Sequence, residues 1–185
     1  HHLPFMVDLN TLPESTKSFE ERKHFMTIGN FRHAPNWDAV LQLQKIWPKI
    51  RKQLPDTELH IYGSYPPPKA TALHNPQTGF HIKGWAKDAQ EVMEQARVCV
   101  APLRFGAGIK GKLLDAMKLQ TPNVTSEIGS EGMLPQGDLQ WPGAVADDID
   151  EFVEQAVALY NDEEKWVKAQ SQCHSILEAH YEQNQ

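Results

Sequence analysis

Phe105-Gly-Ala-Gly-Ile-Lys-Gly-Lys-Leu-Leu-Asp-Ala-Met117 is the stretch whose reading decides the fold. It follows Val98-Cys-Val-Ala-Pro102, an apolar run that reads as a buried strand, and it opens an amphipathic helix. Glycines between a strand and a helix let backbone N–H groups approach an anion closely. The helix N-terminus adds roughly half a positive charge, and Lys110 and Lys112 add full ones. Asp115 follows about 7–8 Å down the axis, at about 1.5 Å per residue. That is close to the distance from a nucleotide's phosphates to its ribose hydroxyls. The arrangement suits a nucleoside diphosphate without metal-binding carboxylates.

Working outward, strands and helices alternate. Strands are expected at about 24–29, 58–62, 80–83, 97–102, 122–126 and 143–146. The first helix starts at an Asn36 cap, carries Val40, Leu43, Trp47, Ile50 and Leu54 at helical spacing, and is interrupted at Pro48. Further helices are expected near 69–75, 88–96, 149–160 and 162–182, and the glycine loop and its helix together fill 106–119. Residues 1–22, with Pro4 and Pro13, read as a lead-in or linker; His1-His2 read as a purification-tag remnant. The domain then spans 23–185. This alternation predicts a Rossmann-like α/β fold, a parallel sheet of about six strands with helices on both faces. Ligands on such sheets bind at the carboxyl ends of the strands, where the glycine loop falls.

Composition narrows the classes. With 185 residues the chain suffices for one α/β domain and is too short for two full Rossmann-like halves. A net charge of −6 argues against a nucleic-acid partner. No apolar run approaches a transmembrane span, and no signal-peptide pattern appears. The two cysteines make no disulfide framework, and a cytoplasmic setting is expected. Asp148-Ile-Asp150 resembles a metal-binding Asp-any-Asp, but capping of the following helix explains it more simply. The histidines lack the i, i+4 spacing of a zinc helix, no cysteine pair accompanies them, and no metal is expected.

Five landmarks occur in order: Ile28-Gly-Asn-Phe-Arg-His-Ala-Pro-Asn36, Leu59-His-Ile-Tyr-Gly63, Ile82-Lys-Gly84, Ala101-Pro-Leu-Arg-Phe-Gly-Ala-Gly108 and Ser130-Glu-Gly132. Together they resemble the donor-binding half of retaining GT-B glycosyltransferases, from about Phe25 to the C-terminus. The resemblance implies that a UDP- or GDP-sugar is the substrate, with no cofactor. It also implies that acceptor binding belongs to an N-terminal half, and that a lipid acceptor would bring the protein to the inner membrane face. The implied diphosphate site is Gly106, Ala107, Gly108, Ile109, Lys110 and Lys112, with Arg32. Gly84 and Trp85 match the nucleobase position, and Gly29, Asn30 and Glu131 the vicinity of the donor sugar. Asp115 falls at the ribose, although it could equally pair with Lys112 or Lys118. Trp85 could equally be a core or surface residue, Glu131 a helix cap, and His33 reads as a turn residue.

This sequence departs from the family pattern at two places. Asn30 and Pro35 stand where an arginine and a lysine are usual, so Lys110, Lys112 or Arg32 must supply that charge. Ala107 stands where the first of two motif glutamates is usual, so no catalytic residue is assigned. Two other readings share the features: a GT-B-fold nucleotide-sugar epimerase, and a non-catalytic module such as a receiver. Ile28-Gly29-Asn30 lacks the clustered acids a receiver needs.

Overall fold

The apolar runs pair side by side as one parallel sheet. The computed structural model describes residues 12, 17–134 and 137–183, with side chains to residue 179. Its strands are β1 (Lys23–Ile28), β2 (Leu59–Tyr62), β3 (Phe80–Gly84), β4 (Ala96–Ala101), β5 (Asn123–Thr125) and β6 (Gly143–Val145). Their spatial order is β3-β2-β1-β4-β5-β6, and every pairing is parallel. The middle of β4, Val98-Cys-Val-Ala101, is fully buried, as expected for a central strand covered on both faces.

Alternation along the strands sends Phe25, Leu59, Ile61, Val98 and Val100 to one face, against α1 (Ala34–Gln53) and α6 (Ile149–Asn161). Met26 and Cys99 face the other way, toward Met93 of α3 (Ala89–Gln95) and Ala116 of α4 (Gly111–Lys118). The remaining helices are short α2 (Pro68–Thr71) and α5 (Glu127–Ser130), and long α7 (Glu163–Gln183). Helix α7 begins against α6 and runs on to α4.

Several boundaries differ from expectation, each for a local reason. Helix α1 is capped at His33, and Asn36 lies inside its first turn; the N–H groups of Asn36 and Trp37 both reach the His33 carbonyl. Pro35 fits there because first-turn N–H groups need no intrahelical partner. Pro48 does not end the helix, since Trp47 and Ile50 lock both sides of it into the core. The segment expected as a helix over 69–75 is the single turn α2, followed by a 3-10 turn at Pro76–Thr78. Within the stretch expected to hold the glycine loop and its helix, α4 starts at Gly111, because Gly106 (φ +128°) and Gly108 (φ +75°) cannot sit in a right-handed helix. Helix α5, capped by Ser126 through Gly129 N–H, had no anticipated counterpart. Asp148 caps α6 as expected, accepting from the N–H groups of Asp150 and Glu151.

The packed body includes residues ahead of β1. Phe19 and Arg22 are buried against α7, where Phe19 meets the Trp166 ring edge-on at 5.7 Å. The Arg22 guanidinium donates to Leu119 O (2.8 Å) and Thr121 Oγ1 (2.6 Å) and lies 5.5 Å over Trp166. Burial lowers its pKa to about 10, outweighing the opposing effect of Glu94. The α7 stripe of Trp166, Ala169, Cys173, Ile176 and Leu177 covers this domain's own surface. His180 of that stripe lies outside the described side chains, and the lead-in residues 1–11 and 13–16 lie outside the described residues.

Trp166 is fully buried and donates its indole N–H to Arg97 O at 2.7 Å. Trp166→Ala should therefore lower the unfolding free energy by about 3–5 kcal/mol. A urea titration that finds less than about 1 kcal/mol would show that α7 does not hold the domain together.

Candidate functional site

Between β1 and β4 the strand order reverses, and the chain leaves the two carboxyl ends in opposite directions. A crevice opens there by topology alone. Ile28 and Gly29 end β1, and Leu103 to Gly111 form the glycine loop after β4. Both line a cleft of about 370 Å³, together with His33, Pro35 and Asn36 of the α1 start and Lys112 and Asp115 of α4. Ala89 and Met93 of α3 close its back.

The loop is held from outside the cleft. The Arg104 guanidinium pairs with the Asp38 carboxylate on α1 through both oxygens, and this hydrogen bonding holds the Asp38 carboxyl below its usual range. Ser126 Oγ donates to Leu103 O. Lys110 Nζ turns back to Gly108 O at 2.6 Å and is largely buried. With these anchors in place, the N–H groups of residues 106–112 have no acceptor among the described residues. They form an array of donors at the start of α4, where the helix dipole is positive.

Lys112 is the cation that enters the cleft. Its Nζ donates to Asn36 Oδ1 at 2.7 Å, and the Asn36 amide in turn donates to Asn30 O at 3.1 Å. Burial pushes the Lys112 ammonium down to about 8. Gly29 is required beside this link, because a Cβ there would lie 2.5 Å from the Asn36 side-chain carbon. The Asn36 amide was missed as a site group because the sequence shows it only as a helix-start residue.

The structure gathers Gly29, Gly106, Ala107, Ile109, Lys110, Lys112 and Asp115 around the cleft, and does not place the other expected residues in its wall. Gly108 belongs to the loop but is not part of the lining. Arg32 is directed elsewhere: its guanidinium lies 3.9 Å over the Tyr65 ring. Asn30 closes the turn after β1, its Oδ1 accepting from Arg32 N–H. Asp115 is exposed, with Lys118 rather than Lys112 as its ion-pair partner at 3.7 Å. Trp85 is 71% exposed, so it is not a core residue, and Gly84 at the end of β3 accepts from Gly63 N–H at 2.7 Å. Glu131 is exposed and is the C-cap residue of α5, its backbone N–H donating to Glu127 O, while Ser126 caps the N-terminal end. His33, read as a turn residue, is the N-cap of α1 and also touches the cleft.

A cleft at the switch point of a doubly wound parallel sheet is the arrangement of one half of the GT-B architecture. Residues 22–162 match the model of the family described as glycosyl transferases group 1, and the chain belongs to that family. Solved structures agree on the fold. S. aureus TarM, in a complex that includes UDP, is 17% identical with a TM-score of 0.70, over 94% of this chain and 37% of TarM. The pneumococcal O-GlcNAc transferase GtfA, in complex with UDP and GlcNAc, is 17% identical with a TM-score of 0.65, over 91% of this chain and 36% of GtfA. The C-terminal domain of a group 1 family protein (LpcC) from Francisella tularensis is 13% identical with a TM-score of 0.71, over 94% of this chain and 97% of that domain. Thus the chain spans little more than a third of TarM and GtfA and nearly all of the isolated C-terminal domain. No curated protein sequence matches it.

The Lys112 amine should titrate with a midpoint near 8, against about 10.4 for a free lysine. NMR of the protein labelled at the lysine Cε carbons reads this directly. A midpoint above about 10 would mean that the amine stands in water and the cleft is open around it.

Proposed function

We propose that this domain binds the nucleoside diphosphate of a nucleotide-sugar donor, as part of a retaining transferase that moves the sugar to an acceptor hydroxyl. One observation carries the reading: Gly106, Ala107, Ile109, Lys110, Gly111 and Lys112, whose N–H groups have no acceptor among the described residues, line a single cleft with the Lys112 side chain. Diphosphate is the ligand class with the charge and the row of acceptor oxygens to satisfy them. Gly106, Ala107, Gly108 and Ile109 contribute backbone donors, Lys112 charge, and Lys110 both charge and loop order. Arg32 serves the rim, where release from Tyr65 would let it reach a phosphate. Asp115 accepts from the ribose hydroxyls, and Gly84 with Trp85 receives the base. Gly29, Asn30 and Glu131 border the sugar.

When the sugar departs, negative charge builds on the diphosphate. Donors already fixed by the Arg104–Asp38 and Ser126–Leu103 anchors stabilise that charge without reorganising, and this lowers the barrier. Ala107 offers no carboxylate, so the first acid of the family's motif contributes nothing here and backbone donors take its place. The cationic site requires no metal for this step. UDP is the favoured nucleotide, in keeping with its presence in the TarM and GtfA structures. The acceptor wall belongs to an N-terminal half, in keeping with the share of TarM and GtfA that the chain covers. No described helix is long and apolar enough to cross a membrane. The reaction is assigned to the cytoplasm, at the inner membrane face where the acceptor is a lipid.

Lys112→Ala should weaken UDP binding by about 1.5–3 kcal/mol, the value of a hydrogen bond to a charged group. The same contact should make binding pH-dependent in the parent. Above about 8 the free protein's Lys112 loses its charge, so the dissociation constant should rise between pH 7 and 9.5, and it should stay flat in Lys112→Ala. Calorimetry showing equal affinity in both proteins would remove Lys112 from the site.

Asp115 is tested by comparing ligands. Asp115→Asn should weaken UDP binding while leaving inorganic pyrophosphate unaffected, because only UDP carries a ribose. Equal losses for both ligands would restrict Asp115 to its pairing with Lys118.

A further inference from the structure

At the other end of the sheet, the amino-terminal ends of three adjacent strands carry imidazoles on the α3 side. His24 is the second residue of β1, His60 lies in β2, and His81 is paired with His60 across the β2–β3 register. Glu58, just ahead of β2, reaches between them. Its Oε2 lies 2.6 Å from His60 Nε2, and its Oε1 lies 3.6 Å from His81 Nε2. One ligand atom from each of Glu58, His60 and His81 falls within 4.8 Å of the other two.

Hydrogen bonding among the protein groups does not account for this cluster. The 3.6 Å gap to His81 is too long for a hydrogen bond, and the buried His81 Nε2 has no hydrogen-bond partner among the described residues. His60 Nδ1 and His24 Nε2 are also buried and unpaired, with the two rings stacked at 3.8 Å. Unsatisfied buried nitrogens cost stability that an apolar side chain would not, so a structural role alone does not favour three histidines here. A neutral imidazole keeps one ring nitrogen with a lone pair to donate to an ion.

We infer that Glu58, His60 and His81 form a binding site for one divalent transition ion of the zinc type, at the end of the sheet opposite the nucleotide cleft. Two imidazoles and a carboxylate suit zinc, nickel or copper, and disfavour magnesium, which prefers an all-oxygen shell. Bonds of about 2.0–2.2 Å to each ligand place ligand atoms about 3.3 Å apart in a tetrahedron. His81 Nε2 and Glu58 Oε1, at 3.6 Å, are near that spacing, while the shorter His60–Glu58 contact must open slightly. Water takes the fourth position, since Glu58 is half exposed. Lys83, the next residue on this face of β3, is the opposing charge; it is exposed and its effect is screened by solvent. The ion joins edge strand β3 to β2, and so stabilises the margin of the sheet. The spacing rules for helical or cysteine-rich zinc sites do not detect it, because its ligands meet through strand register.

The test is zinc binding to the whole chain, followed by thermal shift and by competition with a chromophoric chelator, with magnesium as control. Zinc should raise the unfolding temperature and magnesium should not. Loss of even an outer-shell partner costs about 10–100-fold in metal affinity, so Glu58→Gln and His81→Gln should each weaken zinc by at least about tenfold. Cobalt should give a visible tetrahedral absorption band in the parent and lose it in both variants. UDP binding should be unchanged in all of them. Glu58 is exposed and precedes its strand, so Glu58→Gln decides the matter if His81→Gln does not fold. A double variant of His1→Ser and His2→Ser should bind zinc as the parent does. Zinc binding unaltered by Glu58→Gln, or lost with the two terminal histidines, would overturn the assignment, as would no preference for zinc over magnesium.

Discussion

The pairing of β1 with β4 is the constraint on which the rest depends. These two strands are neighbours in the sheet, yet the chain reaches one from the other only after building β2, β3 and α3 on the far side. Parallel neighbours with connections on opposite sides leave their carboxyl ends uncovered. Most of the cleft is suspended from those two ends, Gly29 and Asn36 from β1 and the glycine loop and Lys112 from β4, with Ala89 and Met93 of α3 completing it. Burial of Phe25, Val98 and Val100 in the main core makes the pairing firm.

The loop after β4 combines rigidity with unmet demand. Arg104, Ser126 and Lys110 restrain its path, while its own N–H groups are left without acceptors. An anion can then bind without the cost of ordering the loop, which is the physical content of preorganisation. Lys112 shows the same tension. Its surroundings disfavour its charge, and a diphosphate would restore that charge, so ligand and proton bind cooperatively.

The two ends of the sheet have opposite chemistry for a geometric reason. The carboxyl end presents loops, backbone donors and cations. The amino end presents side chains held in strand register, where Glu58, His60 and His81 face one another. Rigid strands hold ligand atoms closely, whereas loops can shape themselves around a larger substrate. A single sheet can therefore carry a nucleotide cleft and a compact side-chain cluster without either disturbing the other.

Periodicity and the strand–glycine–helix pattern were enough to read the α/β class, the parallel sheet and the loop that forms the cleft, because these depend on local propensity and on burial along one element. The glycines at 106 and 108 announced a special backbone, but the sequence could not show that their φ values delay the helix until Gly111. Asn36 looked like a cap, since nothing local reveals that its amide would be used by Lys112 from a helix 76 residues away. The stacking of Arg32 on Tyr65 is likewise invisible in the sequence, since the two residues are brought together by the ends of different strands. The α7 stripe was legible as apolar, but only the fold decided that it closes on its own domain. Side-chain partners across long sequence separations are set by topology and register. Those arise from packing the whole chain at once, and no local stretch encodes them.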